Sequence, residues 1–394
     1  MARLIPVYTP NQHGLVALTE RAGGLLAMKK LIVVLLLVAA NVSTNARAES
    51  AYEIAGALTL ESVTNIDGGI EEGSSELANL DLTLAIDTDT AGWWGGGEWF
   101  AYVLGNTGDN PSDDVGDMQG LSNIATDEAL KLYEFWYQHS FADDTVKVLL
   151  GLHDYNSAFY SLDSTGLFTH SSFGIGPETA QAGPSMFSTT SVGLVFTIEG
   201  DNYYLLAATY DGVPGDPDNP RGTHVQFNSG DGLFSGVEWG LANENKDKAA
   251  LGIWQQTAEV ENPVDGDITD ENTGVYFIAE KNINDVAAVF VQLGQADDEF
   301  NQLEYYGGTG ITFTSFWLEG DGIGLAVAHA RNGDPYLAVN DNVDRAETAW
   351  EFTYYAPVVD HLNVQASVFY IQNPSMDQTL DDAVALGARA YIEF

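Results

Sequence analysis

Cysteine is absent from the 394 residues, basic side chains are scarce, and long apolar runs are missing. Without cysteine, an exported chain has no disulfide staples and must be held by some other closed set of bonds. The longest apolar segment, Leu31 to Ala40, is about half the ~20 residues that a membrane-crossing helix needs. With a mean hydropathy of −0.07, a bundle of transmembrane helices is excluded. Lys and Arg number 14 against 57 Asp and Glu. Five of the basic residues fall before residue 49, so residues 49–394 carry nine basic against 56 acidic side chains, a net charge of −47. Nucleic acid is excluded as a partner on charge alone. So large an acidic excess fits a saline habitat, where counterions screen the self-repulsion.

What is present begins with an export signal. Met28-Lys29-Lys30 is a basic start, Leu31 to Ala40 the apolar centre, and Ala46-Arg47-Ala48 a small-x-small cleavage site. Residues 1–27 fit neither a mature domain nor a lipoprotein leader. They read as a mis-assigned extension ahead of a natural start at Met28, with Gly23-Gly24 encoded where a ribosome-binding sequence would lie. The chain then divides into 1–27, a signal peptide over 28–48, and a single unit over 49–394.

That unit shows period-two alternation rather than a helical period. Leu80, Leu82, Leu84 and Ile86 alternate with Asp81, Thr83 and Asp87; Trp350, Phe352 and Tyr354 alternate with Ala349, Glu351 and Thr353. Similar runs begin at Tyr52, Val192 and Leu362. One face suits lipid and the other water, and aromatic residues such as Trp93, Trp94, Trp99, Tyr354 and Tyr355 gather near segment ends. Tight connections are expected near 88–96, 142–145, 199–202, 243–247, 282–285, 318–322 and 356–360. Long ones are expected near 64–76, 106–128, 154–189, 211–231, 258–272, 296–304, 331–346 and 372–382. Seven short and eight long connections join sixteen strands, with Thr223 to Asn228 assigned to a loop to preserve parity. The expected fold is all-β: a 16-stranded antiparallel transmembrane barrel with short periplasmic turns and long extracellular loops. Closure satisfies every backbone group and leaves no sheet edge. Phe394, ending an alternating strand, is the signal the outer-membrane assembly machinery reads. Outer-membrane lipid and lipopolysaccharide are the expected surroundings, and alternation leaves monomer and homotrimer equally open.

Gly151-Leu152-His153-Asp154-Tyr155-Asn156-Ser157-Ala158-Phe159 resembles the G-x-x-D-x-N-x-x-F segment of the carbohydrate-selective porin (OprB) family. His170-Ser171-Ser172-Phe173-Gly174-Ile175-Gly176-Pro177 resembles that family's small-polar-F-G-x-x-P loop. Gly215-Asp216-Pro217, Arg221-Gly222, Glu347 to Tyr354, Gln372-Asn373-Pro374 and Asp382-Ala383 extend the resemblance over most of 50–394. The resemblance implies passive diffusion of sugars through a sixteen-stranded pore, with no cofactor. The chain departs from the family in having so few basic residues to present to the pore.

The third long loop, 154–189, is the candidate constriction. Phe159, Tyr160, Phe168 and Phe173 would offer a sugar apolar faces, while Asp154, Asn156, Asp163 and His170 would exchange hydrogen bonds with its hydroxyls. With Tyr133, Phe135 and Tyr137 outward, Glu134, Trp136 and Gln138 point into the lumen; Lys147, Trp254, Gln365 and Arg389 are placed there by the same alternation. Asp154 and Asn156 equally suit turn capping at a strand end, and Trp136 equally suits filling of the wall. Arg221 and His224 either pair with Asp216 or Asp218 or line the eyelet. Asp109 to Asp117 lacks EF-hand spacing, so no metal site is assigned. Gly307-Gly308-Thr309-Gly310 is not a phosphate loop, and none of the seven His has a partner at catalytic spacing, so an enzyme is not expected. A general or cation-preferring pore is the rival reading, and a structural or adhesive barrel a third.

Overall fold

A computed structural model describes residues 50–394; the extension over 1–27 and the signal peptide over 28–48 lie outside the described residues. The chain forms sixteen barrel strands: β1 (Tyr52–Gly69), β2 (Gly73–Asp87), β3 (Gly97–Gly108), β4 (Ala129–Phe141), β5 (Val146–His153), β6 (Ser191–Glu199), β7 (Tyr203–Asp211) and β8 (Leu233–Ala242). They continue as β9 (Lys248–Gln256), β10 (Asn272–Asn282), β11 (Ala287–Ala296), β12 (Leu303–Thr314), β13 (Gly322–Asn332), β14 (Ala346–Val359), β15 (Leu362–Gln372) and β16 (Asp381–Glu393). Each strand pairs antiparallel with its neighbours, and β16 returns to β1 to close the ring. A two-stranded hairpin, Val260–Glu261 with Ile268–Thr269, decorates the loop after β9.

Alternation sets the two faces. Ile54, Leu194, Leu251, Leu325, Phe352 and Val368 are exposed on the outer wall. Their neighbours Glu61, Glu238, Glu351 and Ser367 are buried within the barrel. Seven short connections lie at the end that is periplasmic in this class. Thr223 to Asn228 forms no strand.

Two expectations need correction. The connection expected near 64–76 is not long: β1 and β2 stay paired up to Asn65 opposite Gly73, and β1 runs on to Gly69. Polar, small residues continue a hairpin as well as a loop when both edges find partners. Tyr133 does not face outward. Tyr102 pairs with Glu134 and Val103 with Leu132, so Tyr133 is an extra residue in β4. The bulge interrupts the alternation, and both Tyr133 and Glu134 turn inward and are buried.

Candidate functional site

The connection from β5 to β6 folds into the barrel instead of rising above it. It contains 3-10 turns at Tyr155–Ser157, Asp163–Leu167 and Ser171–Phe173 and a one-turn helix at Pro177–Ala180. Turns leave backbone N–H groups without partners, and burying them unpaired is costly. Inward glutamates supply the acceptors. Glu134 on β4 accepts from Asp154 N at 2.7 Å, and Glu238 on β8 from Tyr160 N at 2.9 Å. Glu280 on β10 accepts from Asp163 N at 3.1 Å and Ser164 N at 2.8 Å. Glu351 on β14 accepts from Thr169 N and His170 N, both at 3.0 Å. Donors on the wall hold the loop carbonyls: Gln365 Nε2 reaches Leu167 O at 2.7 Å, Gln292 Nε2 reaches Phe173 O at 3.0 Å, and Tyr306 OH reaches Ser172 O at 2.7 Å.

The 109–128 loop lies over this one. Asn123 N donates to Thr169 O at 2.8 Å and Ser171 N to Gly120 O at 2.9 Å. Glu347 on β14 accepts from Met118 N and Gln119 Nε2, both at 3.0 Å.

These contacts reassign most of the expected sugar-binding positions. Phe159, Tyr160, Phe168 and Phe173 are buried and form the loop's own core: Tyr155 stacks on Phe159 at 4.4 Å, and Phe168 meets Phe173 at 4.9 Å. None presents a face to a solute. The Asp154 carboxylate accepts from Asn156 N at 2.7 Å and from Tyr133 OH, capping the first turn. Burial pushes its carboxyl up to about 6. Asn156 Nδ2 donates to Phe159 O at 3.1 Å and Gly174 O at 3.2 Å, holding two turns together. Asp163 starts the second turn on Glu280. His170 is buried, its Nδ1 accepts from Ser172 N, and burial pushes its imidazole down to about 3, so it is neutral. Glu134 holds the loop. Trp254 is buried and donates to Thr179 Oγ1 at 3.0 Å.

Arg389 faces inward as the alternation predicts, but it is buried. It bonds Glu61 at 2.9 Å, its register partner across the β1–β16 closure, and Ser122 at 3.3 Å. Lys147 pairs with Glu199 at 2.8 Å, near the short-turn end. Arg221 is exposed and His224 half-buried in the loop after β7, where Asp216 accepts instead from Gln226 and Asp218 N.

Because the loop is held by strands β8 to β15 and by the inner ends of β4 and β5, the inner face of β2 to β4 is left more open. Asp81, Thr83, Phe100, Tyr102, Trp136 and Gln138 point inward there and are half-buried. Phe100 and Trp136 stack with centroids 4.9 Å apart and planes 22° apart. Next to them runs a chain of amides and hydroxyl. Asn106 Nδ2 donates to Asn79 at 2.6 Å, Asn79 Nδ2 to Asp81 at 2.7 Å, and Tyr102 OH to Asp81 at 2.5 Å. Of the expected pore residues, Trp136 and Gln138 lie on this face. Asp81, Asn79, Phe100, Tyr102 and Asn106 were not singled out, although inward alternation on β2 already marks Asp81 and Thr83. Among the described residues, no group of three or more His, Asp and Glu side chains is arranged to hold a metal ion.

Comparison with solved structures identifies the architecture. The chain is similar to OprB of Pseudomonas putida, with a TM-score of 0.75 at 17% identity over 87% of this chain and 94% of that one. It is also similar to the outer membrane channel DcaP of Acinetobacter baumannii, with a TM-score of 0.58 at 10% identity over 87% and 97% of the two chains. A variant porin of Rh. blastica gives a TM-score of 0.53 at 13% identity over 87% and 100%. No curated protein sequence matches. At these identities the structures speak for the fold alone. The model of the carbohydrate-selective porin, OprB family, matches residues 71–394, and the chain belongs to that family.

Proposed function

We propose that this outer-membrane porin lets sugars diffuse passively along the β2–β4 face of the lumen, past Phe100 and Trp136. The observation that carries this reading is the stacked, half-exposed aromatic pair beside the Asn106–Asn79–Asp81–Tyr102 chain. A sugar ring has an apolar face and a rim of hydroxyls. The ring pair matches the first, and the half-buried Asp81 carboxylate and Tyr102 hydroxyl, backed by the buried Asn79 and Asn106 amides, exchange hydrogen bonds with the second as water is shed. Binding of this kind is weak and repeated, as passage requires.

The acidic composition speaks less for a cation pore than it does at first sight. Glu134, Glu238, Glu280, Glu347 and Glu351 are all buried and accept N–H bonds from the two inserted loops, and Glu61 is paired with Arg389. Carboxylates near the short-turn mouth, such as Asp87 and Glu98 around Lys147, give a mild cation preference to the current. Cleavage after Ala48 and recognition of Phe394 by the assembly machinery complete the reading.

The test is sugar block of single-channel current. In the parent protein the block should saturate. Trp136→Ala with Phe100→Ala should weaken it several-fold, since an aromatic contact contributes about 0.5–1.5 kcal/mol beyond its area. Liposome swelling should be faster for neutral sugars than for charged solutes of equal size. A parent channel that shows no saturable block and strongly prefers K⁺ over Cl⁻ would leave only a general porin.

A further inference from the structure

The short-turn rim of the barrel differs from one side to the other. Over β4 to β9 its turns carry Asp143, Asp144, Asp201, Glu244 and Asp247. The turns between β12 and β13 and between β14 and β15 lie directly across the sixteen-strand ring from those joining β4 to β5 and β6 to β7. There large apolar side chains project beside the exposed Glu319 and Asp360: Phe316, Trp317 and Leu318 are 50%, 67% and 53% exposed, and Val358 and Val359 are exposed next to them. The projection is built. The Asp321 carboxylate accepts from the N–H groups of Phe316, Trp317 and Leu318 at 2.6, 3.1 and 3.0 Å. Trp317 meets the outward Tyr354 at 5.3 Å, and Phe316 meets Phe313 at 5.6 Å.

The opposite rim carries the reverse asymmetry. Above β12 to β14, charge begins early: outward Arg331 follows the exposed His329, and Asp334 bonds Arg345 at 2.6 Å and lies 3.7 Å from Arg331. Above β4 to β8 exposed apolar side chains stand among the charged Asp127, Glu128 and Arg221. Leu130, Val225, Phe227 and Leu233 are exposed, and Thr223 Oγ1 bonds Leu132 O at 2.9 Å, which holds the segment bearing Val225 and Phe227 against β4.

An apolar band low on one side and high on the other is a slanted band. We propose that the barrel sits tilted in the outer membrane, with the Phe316-Trp317-Leu318 turn seated in the lipid interface of the periplasmic leaflet and Val225 and Phe227 in that of the outer leaflet. Trp and Tyr at the low edge suit the interface, where their rings have one dry and one wet side. An upright barrel would either strand these apolar turns in water or draw the acidic turns of the other side toward hydrocarbon.

The absence of cysteine makes the test clean. Trp317→Cys, Phe227→Cys, Asp144→Cys and Arg345→Cys are each spin-labelled in the full-length protein in liposomes, with heat-modifiable mobility confirming that the barrel is folded. Labels at 317 and 227 should collide with dissolved oxygen and be shielded from a water-soluble nickel complex; those at 144 and 345 should show the reverse. In the unlabelled protein, brominated lipids should quench a tryptophan component that Trp317→Phe removes. Equal nickel access at 317 and 144 would overturn the tilt. So would a label at 317 shielded from both probes, which would place a second copy of the chain there instead of lipid.

Discussion

Single carboxylates decide where the constricting loop rests. Glu351 receives two backbone N–H groups and the Thr169 hydroxyl at 2.9 Å. Hydrogen bonds to a charged group are each worth about 1.5–3 kcal/mol. Glu351→Gln should therefore loosen the loop by a few kcal/mol at most, raising current noise and protease cleavage within 154–190 while the barrel stays folded. Asp154→Ala should act likewise on the first turn, with sugar affinity changed only through loop position. Glu178 gives a pH dependence. It is fully buried beside Tyr160 and Tyr306, and burial outweighs the nearby backbone N–H groups and the Thr179 and Tyr160 hydroxyls, pushing its carboxyl up to about 7. Its folded-state value lies above its ordinary one, so the neutral form favours the seated loop. Stabilisation is full below about pH 4.5, declines up to about pH 7 and is flat beyond. Hydrogen exchange at residues 177–182, corrected for its intrinsic pH dependence, should rise through that window, and Glu178→Gln should flatten the rise.

At the level of elements, closure depends on a seam with little tolerance. Phe394 N and O pair with Gly56 O and N, both at 2.9 Å. A Cβ at Gly56 would lie 2.4 Å from the Phe394 ring. The terminal aromatic thus occupies space that only glycine leaves free. Gly56→Val should lower the yield of heat-modifiable barrel, as deletion of Phe394 should, without altering conduction of the molecules that assemble. Normal yield of the Gly56 variant would show that the ring finds another seat. The strand count and the parity of loops were legible in the chain, because period-two alternation and glycine and aspartate clusters are local signals. The β4 bulge was not, since one inserted residue leaves no mark on a run as aromatic as Tyr133 to Tyr137. The length of the β1–β2 hairpin was likewise hidden, because polar residues suit a paired edge and a loop equally well.

For the whole molecule, net charge and pore charge separate. Residues 49–394 carry −47, yet the inward glutamates that would dominate a lumen are occupied by the loops. Reversal potentials in a salt gradient should therefore show only a modest preference for K⁺, weakening as ionic strength rises. A preference that survives high salt would point to unpaired carboxylates at the narrowest point.

The sequence by itself determined that the chain is a closed barrel of sixteen strands, which residues face lipid outside the β4 bulge, and which family it belongs to. Alternation, turn residues and the terminal Phe394 are properties of neighbours along the chain, so they can be read without coordinates. Which face of the lumen stays open was decided only by the tertiary structure. Loop 154–190 has no partner of its own in sequence; its place is set by acceptors such as Glu280 and Glu351, 116 and 182 residues away. Once it rests against β8 to β15, its aromatic residues become core, and Phe100 and Trp136 on the far wall become the surface that a solute meets.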